Sequence, residues 1–340
     1  MKIGMVGLPG AGKSTLFSAL TRTPVDPAAR NEDRLAVIRV PDQRIDVLSE
    51  MYRPRKTTYA QVEYYLGSDT KTGSRETQWN AVKECDALLH IVRNFSAPGL
   101  EPPQPWRDLA ELEDEFVLAD LMVVENRLER IRTDRKKKGR AGEEREEALL
   151  EEARDMLEKG IPLRHDTKIA ASPLLRGFAL VTAKPVLVLV NNEDGDPEPP
   201  PGDPPDGVAS LVVQGKLEAE IATMTEAEAE EFLQEFDISE PAIDRVIRHS
   251  YRLLGLISFF TVGEDEVRAW TIGRDTPAVK AAGVIHSDME KGFIRAEVVA
   301  YDDLVSAGSY AAARKQGTTR LEGKTYPMAD GDIVNFRFNV

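Results

Sequence analysis

Apolar runs and helical repeats alternate along the first two thirds of the chain. Residues 3–6 form a short apolar run before a glycine-rich stretch, and residues 14–20 continue with helical spacing. Two further runs, DALLHIVRNF at 86–95 and AKPVLVLVNN at 183–192, are nearly continuously apolar. Such runs are typical of parallel strands that are buried on both faces. The pattern therefore predicts an α/β domain with a doubly wound sheet.

A helical insertion separates the last two of these strands. Its apolar residues recur at alternating spacings of four and three, which indicates the seam between two packed helices. The seam consists of Val117, Leu121, Val124, Leu128 and Ile131 and, after a break, of Leu149, Ala153 and Met156. The break contains the segment KKKGRAG at 136–142, with two glycines. We therefore predict an antiparallel, coiled-coil helical hairpin with a basic tip.

The remainder of the chain has a different pattern. The segment at 196–206 is rich in proline and is predicted to be a surface loop. Residues 225–236 predict a helix that Thr225 caps, and residues 242–256 predict another helix. Short β-type segments follow, including ISFFTVG, EVRAWTI, GFIRAEVVA and DIVNFRFNV. They predict a small α+β domain at the carboxy terminus.

Length and composition indicate the number of domains and the cellular location of the protein. A chain of 340 residues is expected to form two or three domains. No apolar run approaches the roughly 18 residues of a membrane span, so no membrane association is expected. The amino terminus enters the first strand without a leader pattern. Together with a single cysteine, Cys85, which we interpret as a core residue, this favours a cytoplasmic protein.

The charge distribution limits where nucleic acid can bind. The net charge of -14 means that the surface as a whole repels polyanions, and no DNA partner is expected. Residues 130–140 carry seven basic side chains and one acid. The hairpin tip is therefore hypothesised to contact RNA phosphates, with a solvated helix end as the alternative. The tip residues concerned are Arg135, Lys136, Lys137, Lys138 and Arg140.

The clearest chemical motif is a phosphate-binding loop between the first strand and helix. The segment GLPGAGKST at 7–15 matches the pattern Gly-x-x-x-x-Gly-Lys-Ser. Backbone N–H groups in such a loop turn towards phosphates, Lys13 reaches the β- and γ-phosphates, and the Ser14 hydroxyl coordinates Mg²⁺. The predicted phosphate-binding residues are Gly7, Gly10, Ala11, Gly12, Lys13, Ser14 and Thr15.

Residues that read the base are expected at the ends of later strands. The strand segment VLVLVNNEDGD, at 186–196, contains Asn191-Asn192-Glu193-Asp194 at its end, where a GTPase would carry Asn-Lys-x-Asp. A carboxylate there accepts hydrogen bonds from guanine and disfavours adenine. Further along, Gly215 and Lys216 occupy a segment that commonly closes over the base. Ordinary turns at strand ends are the alternative for both segments.

The residues that organise hydrolysis are harder to find. Glu63 is the only acid in the strand that should end in a metal-binding aspartate. Thr57 and Thr58 are the nearest candidates for a threonine that closes over Mg²⁺, and Gln78 is the only evident residue to position water. No catalytic residue is assigned, and a small-molecule kinase with this loop remains a third, less supported class.

Taken in order, these features resemble the Obg-like ATPases of the YchF type. The similarity is strongest in YRLLGLISFFTVGEDEVRAWTI, AAGVIHSDMEKGFIRAEVVAYDDL and DGDIVNFRFNV, and it extends to ADLMVVENRLERI and CDALLHIVRNF. The resemblance implies a nucleotide-binding domain at 1–105 and 180–255, a helical hairpin at 106–179, and a TGS-like domain with a β-grasp fold at 256–340. It also implies ribosome association, ATP or GTP as the ligand, and a base contact by Asn191.

The chain departs from the family where hydrolysis is organised. The family's Asp-x-Ala-Gly-Leu segment is replaced by EYYLG, and no aromatic-and-threonine first switch follows the phosphate loop. Two functions therefore stay open. One is an NTPase with slow or partner-dependent hydrolysis. The other is a hydrolysis-deficient scaffold that binds nucleotide and the ribosome or RNA. His90 and His286 are interpreted as structural residues.

Overall fold

A computed structural model of the chain describes residues 1–24, 32–68, 82–138, 144–202, 204, 208–236 and 238–339. The described chain divides into two compact units. The first unit comprises residues 1–36 and 63–246, and the second comprises residues 37–62 and 247–340. The segment 37–62 therefore belongs to the same unit as the carboxy-terminal region, which the sequence did not indicate. The predicted three-domain boundaries stay a prediction.

The described residues form both strands and α-helices. The strands are β1 (Lys2–Val6), β2 (Arg34–Arg39), β3 (Lys56–Thr58), β4 (Gln61–Leu66), β5 (Ala87–Asn94), β6 (Val186–Asn192), β7 (Ala209–Val213), β8 (Leu256–Thr261), β9 (Glu266–Gly273), β10 (Phe293–Ala300), β11 (Arg320–Glu322) and β12 (Asp332–Phe338). The α-helices are α1 (Lys13–Thr21), α2 (Gln43–Tyr52), α3 (Pro105–Lys138), α4 (Glu144–Leu157), α5 (Thr167–Ala170), α6 (Gly215–Ile221), α7 (Glu226–Glu235), α8 (Ala242–Leu253), α9 (Ala278–Ile285), α10 (Ser287–Lys291), α11 (Tyr301–Ala307) and α12 (Tyr310–Gln316).

The first sheet has the strand order β2-β4-β1-β5-β6-β7. β1 pairs in parallel with β4 and β5, β5 pairs in parallel with β6, and β6 with β7. Every residue of β6 is buried, as expected of a central parallel strand with both faces covered. The predicted α/β fold is confirmed, and its parallel strands bring the ends of β1, β5, β6 and β7 to one edge of the sheet.

The long helix α3 packs against two different parts of the first unit. Near its start, Leu109, Leu112 and Phe116 pack into one core cluster with residues of β5 and β6. Further along, the predicted seam residues pack against α4. The buried residues of the seam are Val117, Val124, Leu128, Ile131, Leu149 and Ala153, whereas Leu121 and Met156 are partly buried. The pairing of the two helices is therefore confirmed.

Two buried carboxylates in helices of the first unit accept hydrogen bonds from neighbouring segments. Asp120 of α3 is fully buried and accepts hydrogen bonds from Val181 N (3.0 Å), Thr182 N (2.7 Å) and the Thr182 hydroxyl (2.7 Å). Glu218 of α6 accepts from Ala242 N (2.8 Å) and from the next amide, at the start of α8. These contacts satisfy backbone donors that burial would otherwise leave unpaired. The predicted Thr225 cap of α7 is present as a capping box.

The second unit contains a six-stranded mixed sheet with the order β11-β10-β12-β8-β9-β3. β12 pairs with β8 in parallel and β3 with β9 in parallel, while β10 pairs antiparallel with β12 and β8 with β9. Its core contains Phe259 and Phe336, whose rings meet edge to face at 6.0 Å. The four β-type segments predicted after residue 256 all form strands of this sheet. Within the described ranges, no helix combines the length and the apolar composition of a membrane span.

Candidate functional site

The loop between β1 and α1 has the backbone conformation of a phosphate cradle. Gly7 and Gly12 adopt φ angles of 155° and 93°. A Cβ at Gly7 would lie 2.4 Å from the carbonyl oxygen of Ile91, and one at Gly12 would lie 2.2 Å from the Asn191 Nδ2 atom. Both positions therefore require glycine because of the backbone angle and because a neighbour approaches closely. The loop leads directly into the amino-terminal turn of α1, which attracts anions.

Lys13 points back into this loop. Its Nζ atom donates hydrogen bonds to the carbonyl oxygens of Gly7 (3.0 Å) and Leu8 (3.2 Å). Two backbone oxygens therefore hold the ammonium group against the loop. A bound phosphate there would contact the positive charge of Lys13 as well as the backbone N–H groups.

Asn191, at the end of β6, joins the phosphate loop to the segment after β7. Its Nδ2 atom donates to the Ala11 carbonyl at 3.0 Å, and its Oδ1 atom accepts from the Gly215 N–H at 2.8 Å. The side chain is buried, with 4% of its surface exposed. Both ends of the carboxamide thus hold protein backbone. The base contact expected of Asn191 stays a prediction.

The remaining predicted base-site residues lie at the same edge of the sheet. Asp194 pairs with the exposed Lys216 at 3.1 Å. Glu193 accepts a hydrogen bond from the Ser96 N–H at 3.1 Å, after the end of β5. The strands bring these side chains near the phosphate loop, but each carboxylate already has a protein partner. Which of the two faces a base therefore stays open.

Glu63, the acid that the sequence suggested for metal binding, does not lie beside the phosphate loop. Glu63 pairs in register with Lys2 at the amino end of β1, whereas the phosphate loop leaves the carboxyl end. The β4 residue that pairs with Met5, next to the loop, is the buried and apolar Leu66. Glu63 is therefore at the wrong end of its strand to reach a metal at Ser14.

The threonine candidates belong to the second unit. The Thr57 hydroxyl shares a hydrogen bond with Ser49 at 2.8 Å, and Thr58 donates to Glu266 at 2.7 Å. Both hydroxyls therefore have structural partners in β3 and its neighbourhood. The proposed water-positioning residue, Gln78, lies outside the described residues.

Arg34, at the start of β2, contacts the predicted metal ligand. Its Nη2 atom donates to the Ser14 hydroxyl oxygen at 2.8 Å, and its guanidinium lies over the Phe17 ring, 5.0 Å from the centroid. Sequence reasoning did not find Arg34, because no local pattern shows which side chain of β2 faces Ser14. Among the described residues, a conventional Mg²⁺ site does not fit, because an apolar residue stands at the metal-binding strand end and a cation contacts the serine.

A buried ionisable group lies within the sheet that carries the loop. His90 of β5 has 1% of its surface exposed, and its Nδ1 atom lies 3.6 Å from the Glu113 carboxylate. Burial lowers the pKa of His90 below its ordinary value, against the opposing effect of Glu113. Glu113 also pairs with Arg164, and these partners lower the pKa of Glu113 although burial opposes ionisation. The prediction that His90 is a core residue is confirmed.

Other residues singled out in the sequence have structural roles. Cys85 is buried, and burial raises the pKa of its thiol to about 11. His286 is exposed and caps α10, since its Nδ1 atom accepts a hydrogen bond from the Asp288 N–H at 3.2 Å. The side chains of the hairpin tip, Arg135, Lys136, Lys137, Lys138 and Arg140, lie outside the described part of the molecule.

Comparisons with known proteins cover the whole chain. A family model described as 50S ribosome-binding GTPase matches residues 2–127, and the YchF-GTPase_C model, described as a protein of unknown function, matches residues 256–339. The chain is 35% identical to the ribosome-binding ATPase YchF of Bacillus subtilis, over 99% of both chains. It is 33% identical to Obg-like ATPase 1 of Oryza sativa subsp. japonica, over 100% of this chain and 92% of that protein. The solved structure of the Schizosaccharomyces pombe YchF GTPase matches with a TM-score of 0.87 and 31% identity, over 99% of this chain and 97% of that one.

Proposed function

The chain belongs to the YchF family, and we propose that it binds ATP or GTP in the loop at residues 7–14 and acts on the ribosome. The nucleotide-binding part of the proposal rests on the contacts that hold this loop in place. Gly12 packs against Asn191, which joins the loop to Gly215, and Lys13 donates back to the loop carbonyl of Gly7. This arrangement places a cation beside a glycine-rich loop whose backbone N–H groups would bind a phosphate.

Base recognition is proposed for the edge where β6 and β7 end. Asp194 or Glu193 would accept hydrogen bonds from a base, and Lys216 would cover it after leaving Asp194. The ion pair of Lys216 with Asp194 is exposed, so solvent screens it and little energy is needed to open it. ATP and GTP both remain candidate ligands under this proposal.

Hydrolysis in this proposal is slow or depends on a partner. Leu66 stands where β4 reaches the loop, so no carboxylate at that strand position helps to position metal or water. The same observation favours the second candidate function, a hydrolysis-deficient scaffold that binds nucleotide and ribosome. The two functions differ only in whether bound nucleotide is cleaved.

The ribosome is proposed as the partner because several relatives of the chain are ribosome-binding ATPases. The basic tip of the α3 and α4 pair and the carboxy-terminal unit are the proposed contact regions, and the cytoplasm is the proposed location. The salt dependence of ribosome binding tests the proposed contact of the tip. A variant with alanine at Arg135, Lys136, Lys137 and Lys138 is compared with the unmodified protein by co-sedimentation with ribosomes. Added salt should weaken the ribosome affinity of the variant less than that of the unmodified protein. An unchanged salt slope would contradict this contact.

The nucleotide proposal is tested by calorimetric titration with ATP and GTP, followed by single-turnover hydrolysis. Lys13→Ala should abolish binding, because it removes the cation of the cradle. Lys291→Ala, at an exposed lysine of the second unit, is the matched control and should bind normally. Phosphate release that depends on Lys13 supports an NTPase, and binding without such release supports the scaffold. Binding of neither nucleotide would refute both functions.

A further inference from the structure

Arg34 places a second cation beside the phosphate loop. Its guanidinium Nη2 atom lies 2.8 Å from the Ser14 hydroxyl oxygen. In conventional phosphate loops this hydroxyl coordinates Mg²⁺, which neutralises the β- and γ-phosphates. Here an accepted hydrogen bond uses one lone pair of that oxygen, while the hydroxyl hydrogen stays available for a phosphate oxygen.

The Arg34 side chain is supported in this position. Its guanidinium lies over the ring of Phe17, in the second turn of α1, and Arg34 itself is half-buried at the start of β2. Stacking on an aromatic ring orients the plane of a guanidinium, whose N–H groups point outward from its edge. The donating edge of Arg34 is therefore held towards Ser14.

The strand that usually supplies the acidic partner of the metal lacks it at this position. β4 pairs with β1 so that Leu66 lies beside Met5, immediately before the loop. Leu66 is 2% exposed and has no side-chain oxygen to offer a metal or its water shell. Among the residues that the structure describes, a divalent cation at Ser14 would thus meet a positive guanidinium and an apolar side chain, and both disfavour it.

From these three observations we infer that the Arg34 guanidinium takes the place of Mg²⁺ at Ser14 and neutralises the nucleotide phosphates, so that nucleotide binding depends little on divalent cations. The inference rests on the proposed nucleotide binding. Arg34 and Lys13 together supply two fixed positive charges to the phosphates. A guanidinium matches phosphate oxygens through two parallel N–H donors, which a metal-free site needs.

The test compares nucleotide affinity in excess EDTA and in excess MgCl₂, with ATP and GTP as the probes in calorimetric titrations. The unmodified protein is expected to bind with dissociation constants that differ by less than about threefold between the two conditions. Arg34→Gln removes the charge and keeps a polar side chain. It is expected to bind about tenfold or more weakly in EDTA, since a charged hydrogen bond of this kind is lost, and to recover affinity when Mg²⁺ is added.

Arg39→Gln is the matched control. Arg39 lies on the same strand and stacks on the Tyr59 ring at 5.5 Å, so its replacement loses a similar contact away from Ser14. It should bind nucleotide as the unmodified protein does in both buffers. Circular dichroism checks that both variants fold, and Arg34→Lys, which keeps a single positive charge, should fall between Arg34→Gln and the unmodified protein in EDTA.

The results separate this inference from the proposed function. If the unmodified protein binds threefold or more tightly with Mg²⁺ than in EDTA, nucleotide binding stands and the role of Arg34 is wrong. The role is equally wrong if Arg34→Gln binds as the unmodified protein does in EDTA. If the unmodified protein binds neither nucleotide in either buffer, the proposed function fails and this inference fails with it. The comparison on the unmodified protein tests the predicted independence from Mg²⁺ even where a variant does not fold.

Discussion

Replacing Asn191 should loosen the phosphate loop and the turn after β7 together. Asn191→Ala removes the donor to the Ala11 carbonyl and the acceptor for the Gly215 N–H, at 3.0 and 2.8 Å. Since Asn191 is 4% exposed, both backbone groups lose their partner in a site that water reaches poorly. Each unpaired group costs about 1–3 kcal/mol, so for the two groups we expect a local loss of about 2–6 kcal/mol.

Hydrogen exchange of the peptide that spans β7 and α6 measures this loss. A local destabilisation of about 2 kcal/mol corresponds to roughly 30-fold faster exchange where the backbone opens locally. Asn335→Ala, at an exposed asparagine of β12, is the matched control and should leave the exchange unchanged. Exchange of Asn191→Ala within about threefold of the unmodified protein would refute the reasoning.

Asn191→Asp tests the direction of the two hydrogen bonds. A carboxylate still accepts from the Gly215 N–H, but it cannot donate to the Ala11 carbonyl. Burial raises the pKa of such a carboxyl above its ordinary value of about 3.9. A raised pKa in the folded state means that stability falls as the pH rises through it. The exchange defect should therefore be larger at pH 8 than at pH 5, and a defect that does not change with pH would contradict the assigned donor and acceptor.

Three further predictions concern the buried ionisable residues of the first unit. Asp120→Ala should lower the free energy of unfolding by about 2–4 kcal/mol in urea denaturation, because the Thr182 amide and hydroxyl lose their acceptor. Burial lowers the pKa of His90, so the unfolded chain binds more protons than the folded chain below about pH 6.5, and stability should fall as the pH drops below that value. In thermal unfolding between pH 5 and 8, His90→Leu should show a smaller dependence of stability on pH. Glu218→Ala should speed hydrogen exchange at the start of α8 about tenfold or more, because the Ala242 N–H loses its acceptor, and unchanged exchange would contradict that role.

Local patterns in the sequence were sufficient for the elements that carry the loop. The apolar runs that became β5 and β6 are buried on both faces, and that burial requires the continuous apolar composition that the sequence displays. The seam of α3 and α4 is visible for the same reason, since a helix repeats its buried face every three or four residues. The glycines of the phosphate loop are equally local, because their backbone angles are a property of each residue.

Strand register was not visible in the sequence. Glu63 looked like the acid of the metal-binding strand because it is the only carboxylate there, but register places it beside Lys2 and brings Leu66 to the loop. A shift of pairing along a strand moves a side chain by several ångströms and leaves the local pattern unchanged. The acid that composition suggested was therefore at the wrong end of β4.

Local patterns were enough to find the phosphate loop and the strands and helix around it, β1, α1, β5 and β6. Which side chains meet at that loop followed only from the way the elements pack together. Asn191 joins Ala11 to Gly215, and Arg34 contacts Ser14, across separations of 180, 24 and 20 residues. Periodicity reports burial within one element, whereas contacts between elements depend on how the whole sheet is ordered and paired, and that information is spread over the entire chain.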